Sequence, residues 1–118
     1  MPLPAEVSSH HTAWVSIPGT TAHPVRYAVD GDRLVCFGDE ILRLVPDETR
    51  VSVAIHEIAG GRLLAAFAAS LRTLPADAVA TNVLAELLDH VALGRTIEEV
   101  STHLADARAH RRIVELVP

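Results

Sequence analysis

The sequence predicts a mainly β fold of the α+β class: a small antiparallel barrel of about six strands with two helices near the C-terminus. Three observations support this prediction. Short runs rich in Val, Ile and aromatic residues fill the stretch from residue 12 to residue 58, and turn-forming residues separate them. Helical periodicity begins only after residue 73. At 118 residues, the chain has the length of about one domain.

The most specific local signal is the pair Asp30-Gly31 between two β-type runs. Because Asp-Gly tolerates the positive φ angles of tight hairpin turns, this pair predicts an antiparallel hairpin. The run 25–29 is apolar apart from Arg26, and the run 34–37 is apolar throughout, so both faces of the hairpin are apolar. Such a sheet must be covered on both sides, which favours a closed barrel with a helix or a partner outside it.

Alternation and glycine-containing turns predict the remaining strands. Val51, Val53 and Ile55 alternate with smaller or polar residues, which is typical of a half-buried strand. The run 63–69 is rich in alanine and could form a helix, but Gly60-Gly61 before it favours the second strand of a hairpin. Alanines on that strand would leave room for another element to pack closely. The strands are expected at 12–17, 22–29, 33–38, 51–58, 62–71 and 112–117.

Two helices are expected between the fifth and sixth strands. The first covers residues 73–94, with Pro75 in its first turn and Gly94 as its C-terminal cap. The second starts at Thr96, where Thr96 and Glu99 form a capping-box pattern, and it runs to about residue 110. The apolar residues of the first helix recur at helical spacing and form one stripe. This stripe consists of Val79, Val83, Leu84, Leu87, Leu88 and Val91.

Composition argues against several functional classes. The net charge is −5 and all ten basic residues are arginine, so Schiff-base chemistry through lysine is excluded and nucleic-acid binding is disfavoured. The longest apolar run, 63–69, is far shorter than the ~20 residues of a membrane span. Cys36 is the one cysteine, which suits a reducing compartment, and we expect a soluble, cytoplasmic protein. Residues 1–11 are expected to form a flexible N-terminal arm ahead of a domain over 12–118.

Two segments of the chain resemble the pyridoxamine 5′-phosphate oxidase-like superfamily of split β-barrels. Residues 24–35 have the sequence Pro-Val-Arg-Tyr-Ala-Val-Asp-Gly-Asp-Arg-Leu-Val, and residues 50–53 follow with Arg-Val-Ser-Val. The order of elements over residues 12–118 is similar as well. The resemblance implies a homodimer of small barrels that binds FMN, or in some branches the deazaflavin F420, at its interface. It also implies oxidoreductase chemistry in which the cofactor performs the hydride transfer.

The resemblance implies a cofactor site, and this sequence departs from the family pattern within it. Many members carry Ser-Arg-Lys between the third and fourth strands to bind the flavin phosphate, whereas Asp39, Glu40 and Ile41 stand there in this chain. Two carboxylates repel a phosphate. Arginines nearby could replace the motif, since a guanidinium matches phosphate oxygens well. The candidate cofactor residues are Arg26, Arg43 and Arg50 for the phosphate side, and Phe37 and Gly38 beside the ring.

Four possible metal ligands share one face of the second expected helix. They are Glu99, His103, Asp106 and His110. Zinc or another transition metal could use two such residues. We favour the alternative that the stripe is the solvated face of an amphipathic helix, so no metal site is predicted.

Several other residues with possible chemistry have structural explanations that we favour. Cys36 lies in the middle of a strand without an adjacent base, so a buried and inert thiol is expected. His56 is expected to be partly buried and hydrogen-bonded rather than catalytic. Trp14 and Tyr27 could stack on an isoalloxazine ring, but core positions are favoured. The basic cluster at 110–112 is expected to be a solvated junction between helix and strand.

Three functions stay open on the sequence alone. The first is a homodimeric, flavin-type redox protein that binds FMN or F420 and acts on a substrate that the sequence does not specify. The second is a cofactor-free homodimer of the same barrel that acts as a binding or interaction module, which the acidic residues Asp39 and Glu40 favour. The third and least favoured is a metal-dependent hydrolase that uses the helical stripe. No nucleic-acid or membrane partner is expected.

Overall fold

Six antiparallel strands close into a barrel, which confirms the predicted fold class. The computed structural model describes residue 7 and residues 12–38, 42–57, 61–88 and 97–118, without the side chains at positions 76, 97, 100, 109 and 110. The strands are β1 Thr12–Ser16, β2 His23–Asp30, β3 Arg33–Phe37, β4 Arg50–His56, β5 Leu63–Leu74 and β6 Ile113–Val117. They follow each other around the barrel in the order β1-β2-β3-β6-β5-β4. Two helices, α1 Thr81–Leu87 and α2 Ile97–His110, lie between β5 and β6 in sequence.

The Asp30-Gly31 turn forms the hairpin that the sequence predicts. Asp30 pairs with Arg33, and the ladder continues to Tyr27 opposite Cys36. Gly31 has a φ angle of 64°, which a residue without a Cβ adopts at no steric cost. The local turn chemistry therefore sets the register of β2 against β3.

The interior of the barrel is filled by alternate residues of every strand. On β4, Val51, Val53 and Ile55 are buried while the residues between them face outward, as period-two alternation dictates. Tyr27 is fully buried in this interior and donates a hydrogen bond of 2.6 Å from its hydroxyl to the carbonyl of Val7. Residue 7 thus belongs to the core, whereas the rest of the expected arm, 1–11, lies outside the described part of the chain.

A second apolar core lies outside the barrel, between one of its sides and the helices. Val35 and Phe37 of β3 point away from the interior and pack with Leu84 and Leu87 of α1. Leu104 of α2 packs against the same cluster. The β2–β3 hairpin is therefore covered on both faces, as its apolar pattern predicts.

The first helix starts later than its apolar stripe predicts, and this expectation was wrong. Strand β5 continues to Leu74, because Thr73 and Leu74 pair with β6 and extend the ladder. Pro75, which has no N–H to donate, ends that ladder and precedes a 3₁₀ turn at Ala76–Ala78. The helix proper begins at Thr81. The caps expected at residues 94 and 96 lie outside the described ranges.

Within the described ranges, none of the helices combines the length and the apolar character that crossing a membrane would require.

Candidate functional site

The outward faces of β1, β4 and β5 form the side of the barrel away from the α1 contacts, and we call their central part the bare wall. Its side chains stand in two rows across the three strands. In the first row Trp14 pairs with Ala54, and Ala54 pairs with Ala66. In the second row Ser16 pairs with Ser52, and Ser52 pairs with Ala68. The bare wall is thus made of Trp14, Ser16, Ser52, Ala54, Ala66 and Ala68.

Trp14 is the one large side chain of the bare wall, and it is 43% exposed. The core position favoured for it from sequence was therefore wrong. Its neighbours on β1, Ala13 and Val15, take the inward positions and are fully buried, so alternation leaves the indole on the outside. The small residues around it leave space that no larger side chain of the described residues fills.

A shallow hollow of about 280 Å³ lies beside the indole. It is open to solvent, and the described residues that line it include no charged side chain. Ser16 and Ser52 are the residues of its lining that carry a hydroxyl group. An apolar hollow with an aromatic face and a few hydroxyl groups suits a flat, weakly polar ring. The lining consists of Trp14, Ser16, Ala22, Ser52, Val53, Ala54, Ala66 and Phe67.

Arg26, a candidate for the phosphate side, faces α1 from the outer surface of β2. Its Nε donates to the carbonyl of Leu87 at 3.0 Å, and its Nη2 donates to the carbonyl of Glu86 at 3.2 Å. These carbonyls belong to the last turn of α1, where backbone acceptors lack helical partners and a positive charge is favoured. Arg26 therefore caps a helix.

Phe37 and Gly38, the candidates for the ring side, are buried at the end of β3. The guanidinium carbon of Arg111 lies 3.5 Å from the centroid of the Phe37 ring, a distance at which the cation is attracted by the ring face. A Cβ at position 38 would lie 2.9 Å from Cδ of Arg112. Glycine at this position thus allows the backbone of β3 to approach the Arg112 side chain closely.

Arg43 and Arg50 lie on exposed parts of the chain. Arg50 shares the outward face of β4 with Ser52 and Ala54, since all three are alternate residues of that strand. Its Nη1 donates to the hydroxyl of Ser70 at 2.9 Å. Of the five candidates, Phe37 and Gly38 lie together, Arg26 lies against α1, and Arg50 continues the outer face that carries Trp14. Their cofactor-binding role stays a prediction.

Arg112 organises the loop between β3 and β4, and sequence reasoning missed it. Its guanidinium donates to the carbonyls of Leu42 at 2.6 Å and Val45 at 2.8 Å. It also contacts Oγ1 of Thr73 at 2.8 Å and Oδ1 of Asp47 at 3.3 Å. The junction predicted at 110–112 is present, but the side chain of Arg112 is only 21% exposed rather than solvated. No local pattern signals this role, because its partners are remote in sequence.

Two buried titratable groups have strongly shifted pKa values. Burial raises the pKa of the Cys36 thiol to about 12, so the thiol is protonated and inert at neutral pH, as expected. Burial, followed by the nearby Cys36 and Glu86, raises the pKa of Tyr27 to about 12. His56 is exposed rather than partly buried, although its Nδ1 lies 3.2 Å from the carbonyl of Gly61. Cys36 and Tyr27 are both fully buried, so a ligand on the bare wall reaches neither of them.

The helical stripe offers no assembled metal centre within the described side chains. Glu98, Glu99, Thr102 and His103 surround an open hollow on α2. Among the described residues, no three side chains of His, Cys, Asp or Glu gather closely enough to hold a metal ion. The side chain of His110, the fourth member of the stripe, lies outside the description.

Comparisons of the chain with protein-family models, with curated proteins and with solved structures give no match. The resemblance stated from the sequence stays an expectation.

Proposed function

We propose that this chain is a homodimeric, flavin-type binding protein of the oxidoreductase class, with FMN or F420 as its cofactor and its substrate open. The observation that supports the proposal best is the exposed indole of Trp14 beside an uncharged, largely apolar hollow. Aromatic rings prefer offset stacking on other aromatic faces. The isoalloxazine or deazaflavin ring would take this position on the bare wall.

The ring half of such a cofactor fits the residues present. The hollow measures about 280 Å³ on one copy, at the lower edge of the roughly 300–1,000 Å³ that ligand pockets occupy. A second copy placed over the bare wall would enclose and enlarge it. The serine hydroxyls of the lining are suited to the polar edge of the ring.

The phosphate half would depend on Arg50. This residue lies on the same outward face of β4 as the hollow, two residues before Ser52, and its guanidinium suits a phosphate. Arg43 is exposed in the loop that leads into β4 and is the second arginine available at that end. When bound, the cofactor supplies hydride transfer, while the chain binds the ring and the phosphate and excludes water. The absence of lysine argues mildly against a phosphorylated substrate.

A second candidate function is a cofactor-free homodimer that acts as a binding or interaction module. The internal contacts of three predicted cofactor residues favour it. Arg26 caps α1, Phe37 lies under Arg111, and Gly38 lies against Arg112. In this case the bare wall would serve protein contact alone. For both candidates we propose a cytoplasmic location, which the single, buried and protonated cysteine supports.

The deciding experiment is the visible absorption spectrum of the purified protein, followed by titration with FMN and with F420. Trp14 is the only tryptophan, so quenching of its fluorescence reports directly on the hollow. The flavin proposal predicts saturable quenching, and Arg50→Ala should weaken FMN binding roughly tenfold or more, as loss of a charged contact does. Arg62→Ala, which removes an exposed arginine beyond β4, is the matched control.

The absence of any fluorescence response would favour the second candidate function, the cofactor-free interaction module. A colourless protein whose Trp14 fluorescence responds to neither cofactor, while the protein remains dimeric, would contradict flavin binding and leave the interaction module.

A further inference from the structure

The turn between β2 and β3 contains the one Asp-Gly pair of the chain, Asp30-Gly31, and the sequence has no Asn-Gly pair. An aspartate before glycine is prone to isomerise, because glycine has no Cβ to shield its backbone nitrogen from the preceding carboxyl group. Gly31 is exposed, and a Cβ at this position would meet no atom of the described residues within 4 Å beyond its chain neighbours. The nitrogen that would attack the carboxyl group therefore lies in an open turn.

We propose that Asp30 is a site of isoaspartate formation and that Arg33 restrains this reaction in the folded protein. The inference concerns a covalent modification of the chain itself. It is independent of the flavin proposal, because β2 and β3 contribute no residue to the bare wall.

The reaction needs water but no oxidant or reductant. The backbone nitrogen of Gly31 attacks Cγ of the protonated Asp30 carboxyl group, so that an N–Cγ bond forms and a Cγ–O bond breaks. The leaving oxygen departs as water with the carboxyl proton and the amide proton, and a cyclic succinimide remains. One water then opens the ring. Cleavage of the N–Cγ bond restores aspartate, whereas cleavage of the bond between the nitrogen and the backbone carbonyl carbon of Asp30 leaves the chain running through Cβ and Cγ.

Arg33 holds the carboxyl group that must react. Its Nε donates to Oδ2 of Asp30 at 3.2 Å, and its Nη2 donates to the same oxygen at 2.7 Å. Its Nη1 donates to Oε2 of Glu115 on β6 at 2.5 Å, so a second carboxylate, only 13% exposed, fixes the guanidinium in place. Succinimide formation converts the charged carboxylate of Asp30 into a neutral imide. The charge-assisted hydrogen bonds from Arg33 are lost in that step, and their loss raises the barrier to the reaction.

Isomerisation at this turn would alter the pairing of β2 with β3. The isoaspartyl linkage adds one methylene group to the backbone of a two-residue turn, and the turn determines the register of a hairpin. Asp30 pairs with Arg33 directly beside the turn, and Val35 further along β3 packs in the second core. A shift of β3 would disturb that core as well as the Arg33 contact. We therefore expect the isomerised protein to melt at a lower temperature than the unmodified protein.

Incubation of the full chain at neutral pH, followed by peptide mapping, tests the proposal. Electron-transfer fragmentation in a mass spectrometer distinguishes isoaspartate from aspartate, although the two have the same mass. The wild-type protein should accumulate isoaspartate slowly, and at Asp30 before any other aspartate. Arg33→Ala should raise the initial rate at Asp30 roughly tenfold, as the loss of a charge-assisted hydrogen bond to the reacting group does.

Three controls separate the contact with Arg33 from other causes. Arg62→Ala removes the arginine that pairs with Glu57 at the hairpin of β4 and β5, and it should leave the rate at Asp30 unchanged. Leu84→Ala weakens the fold but keeps the Arg33 contact. At a temperature where circular dichroism shows every variant to be folded, its rate should stay below that of Arg33→Ala. In concentrated urea, where no hairpin persists, the wild-type protein and Arg33→Ala should react equally fast.

Three outcomes would overturn the proposal. They are an Arg33→Ala protein that isomerises at the wild-type rate, isoaspartate that appears first at another aspartate, and a faster reaction in Leu84→Ala than in Arg33→Ala, which would show that global unfolding controls the rate. If Arg33→Ala fails to fold, Arg33→Lys takes its place. Lysine keeps the charge but lacks the planar fork that contacts Oδ2 twice, so a rate above that of the wild type is expected and an unchanged rate would refute the role of Arg33.

Discussion

The helix-covered side of the barrel and the bare wall both contribute apolar residues to the barrel interior, but their outward-facing side chains differ in size. Beneath the helices, the outward residues Val35 and Phe37 of β3 and Ile113 of β6 are large and lie in a second core. On the bare wall, the outward positions hold alanine and serine around the single indole of Trp14. Both sides contribute buried aliphatic residues to the barrel. Outward side chains are therefore large where α1 packs on the barrel and small on the bare wall.

The largest expected effect on stability comes from comparing a buried leucine of α1 with an exposed leucine. Leu84 is fully buried between α1 and the barrel, so Leu84→Ala should lower the free energy of unfolding by about 2–5 kcal/mol through lost burial and a cavity. Leu44 is 89% exposed, and Leu44→Ala should change that free energy by no more than about 0.5 kcal/mol. Urea denaturation measures both. Equal effects would mean that α1 contributes little to the stability of the barrel.

The second largest expected difference in stability is between two arginines: Arg26, which lies against α1, and Arg50, which lies on the outward face of β4. Arg26→Ala leaves the carbonyls of Glu86 and Leu87 without their charged donor, and we expect a loss of about 1–3 kcal/mol. Arg50 bonds only the exposed hydroxyl of Ser70 among the contacts described, so Arg50→Ala should cost no more than about 0.5 kcal/mol. Thermal unfolding at a concentration where the protein is monomeric separates the two. A large loss for Arg50→Ala would show that the bare wall also stabilises the monomer.

A smaller effect on stability is expected for Tyr27, which is buried in the interior of the barrel. Tyr27→Phe removes the hydrogen bond to the carbonyl of Val7 and should cost about 0.5–1.5 kcal/mol. Because the folded pKa of Tyr27 is raised to about 12, folding holds its proton more tightly than the unfolded chain does. The stability from this group is complete below the ordinary tyrosine pKa of about 10 and is lost as the pH rises towards 12.

Alkaline titration checks this pH dependence. Tyr27 is the only tyrosine, so the ultraviolet absorbance of tyrosinate follows it alone. Cys36 adds stability of the same sign, because its folded pKa is raised as well, and Tyr27→Phe should remove only the tyrosine part. Ionisation of Tyr27 near pH 10 without unfolding would show that its hydroxyl is accessible to water.

The smallest effect is expected at Asp47, at the junction between β5 and the Arg112 loop. Hydrogen bonds from the hydroxyl and the backbone N–H of Thr73, together with Arg112, hold the pKa of this carboxyl below its ordinary value of 3.8. A lowered folded pKa gives stability that is present above the unfolded pKa and is lost as the pH falls through the folded value. Asp47→Asn should therefore unfold at a slightly lower temperature at neutral pH, with the difference vanishing in strong acid. A constant difference at every pH would mean that the charge of Asp47 plays no part.

Sequence patterns predicted the barrel because its signals are local. Alternation on β4 and the Asp30-Gly31 turn act within a few residues, and both appear in the structure as expected. The predicted start of the first helix was wrong. Thr73 and Leu74 pair with the distant strand β6, and this pairing overrides the helical spacing of the apolar residues.

The candidate functional surface was harder to predict. Alternation places Trp14 and Val15 on opposite faces of β1, but it does not say which face of the strand points into the barrel. The role of Arg112 depends on Leu42, Val45 and Thr73, which only the closed fold brings to it. Those residues are separated in sequence, so no spacing rule could have found them.

The closure of the barrel makes its folding depend on two strands that are remote in sequence. Strand β6 inserts between β3 and β5, and Phe37 pairs with Ile113. Until β6 is in place, β3 and β5 both present unpaired backbone edges, which are templates for aggregation. A ribosome-bound chain that has not yet released β6 would therefore be at risk, and long-range pairing of this kind also slows folding. The interval of synthesis between β5 and β6 is therefore one in which both edges stay unpaired.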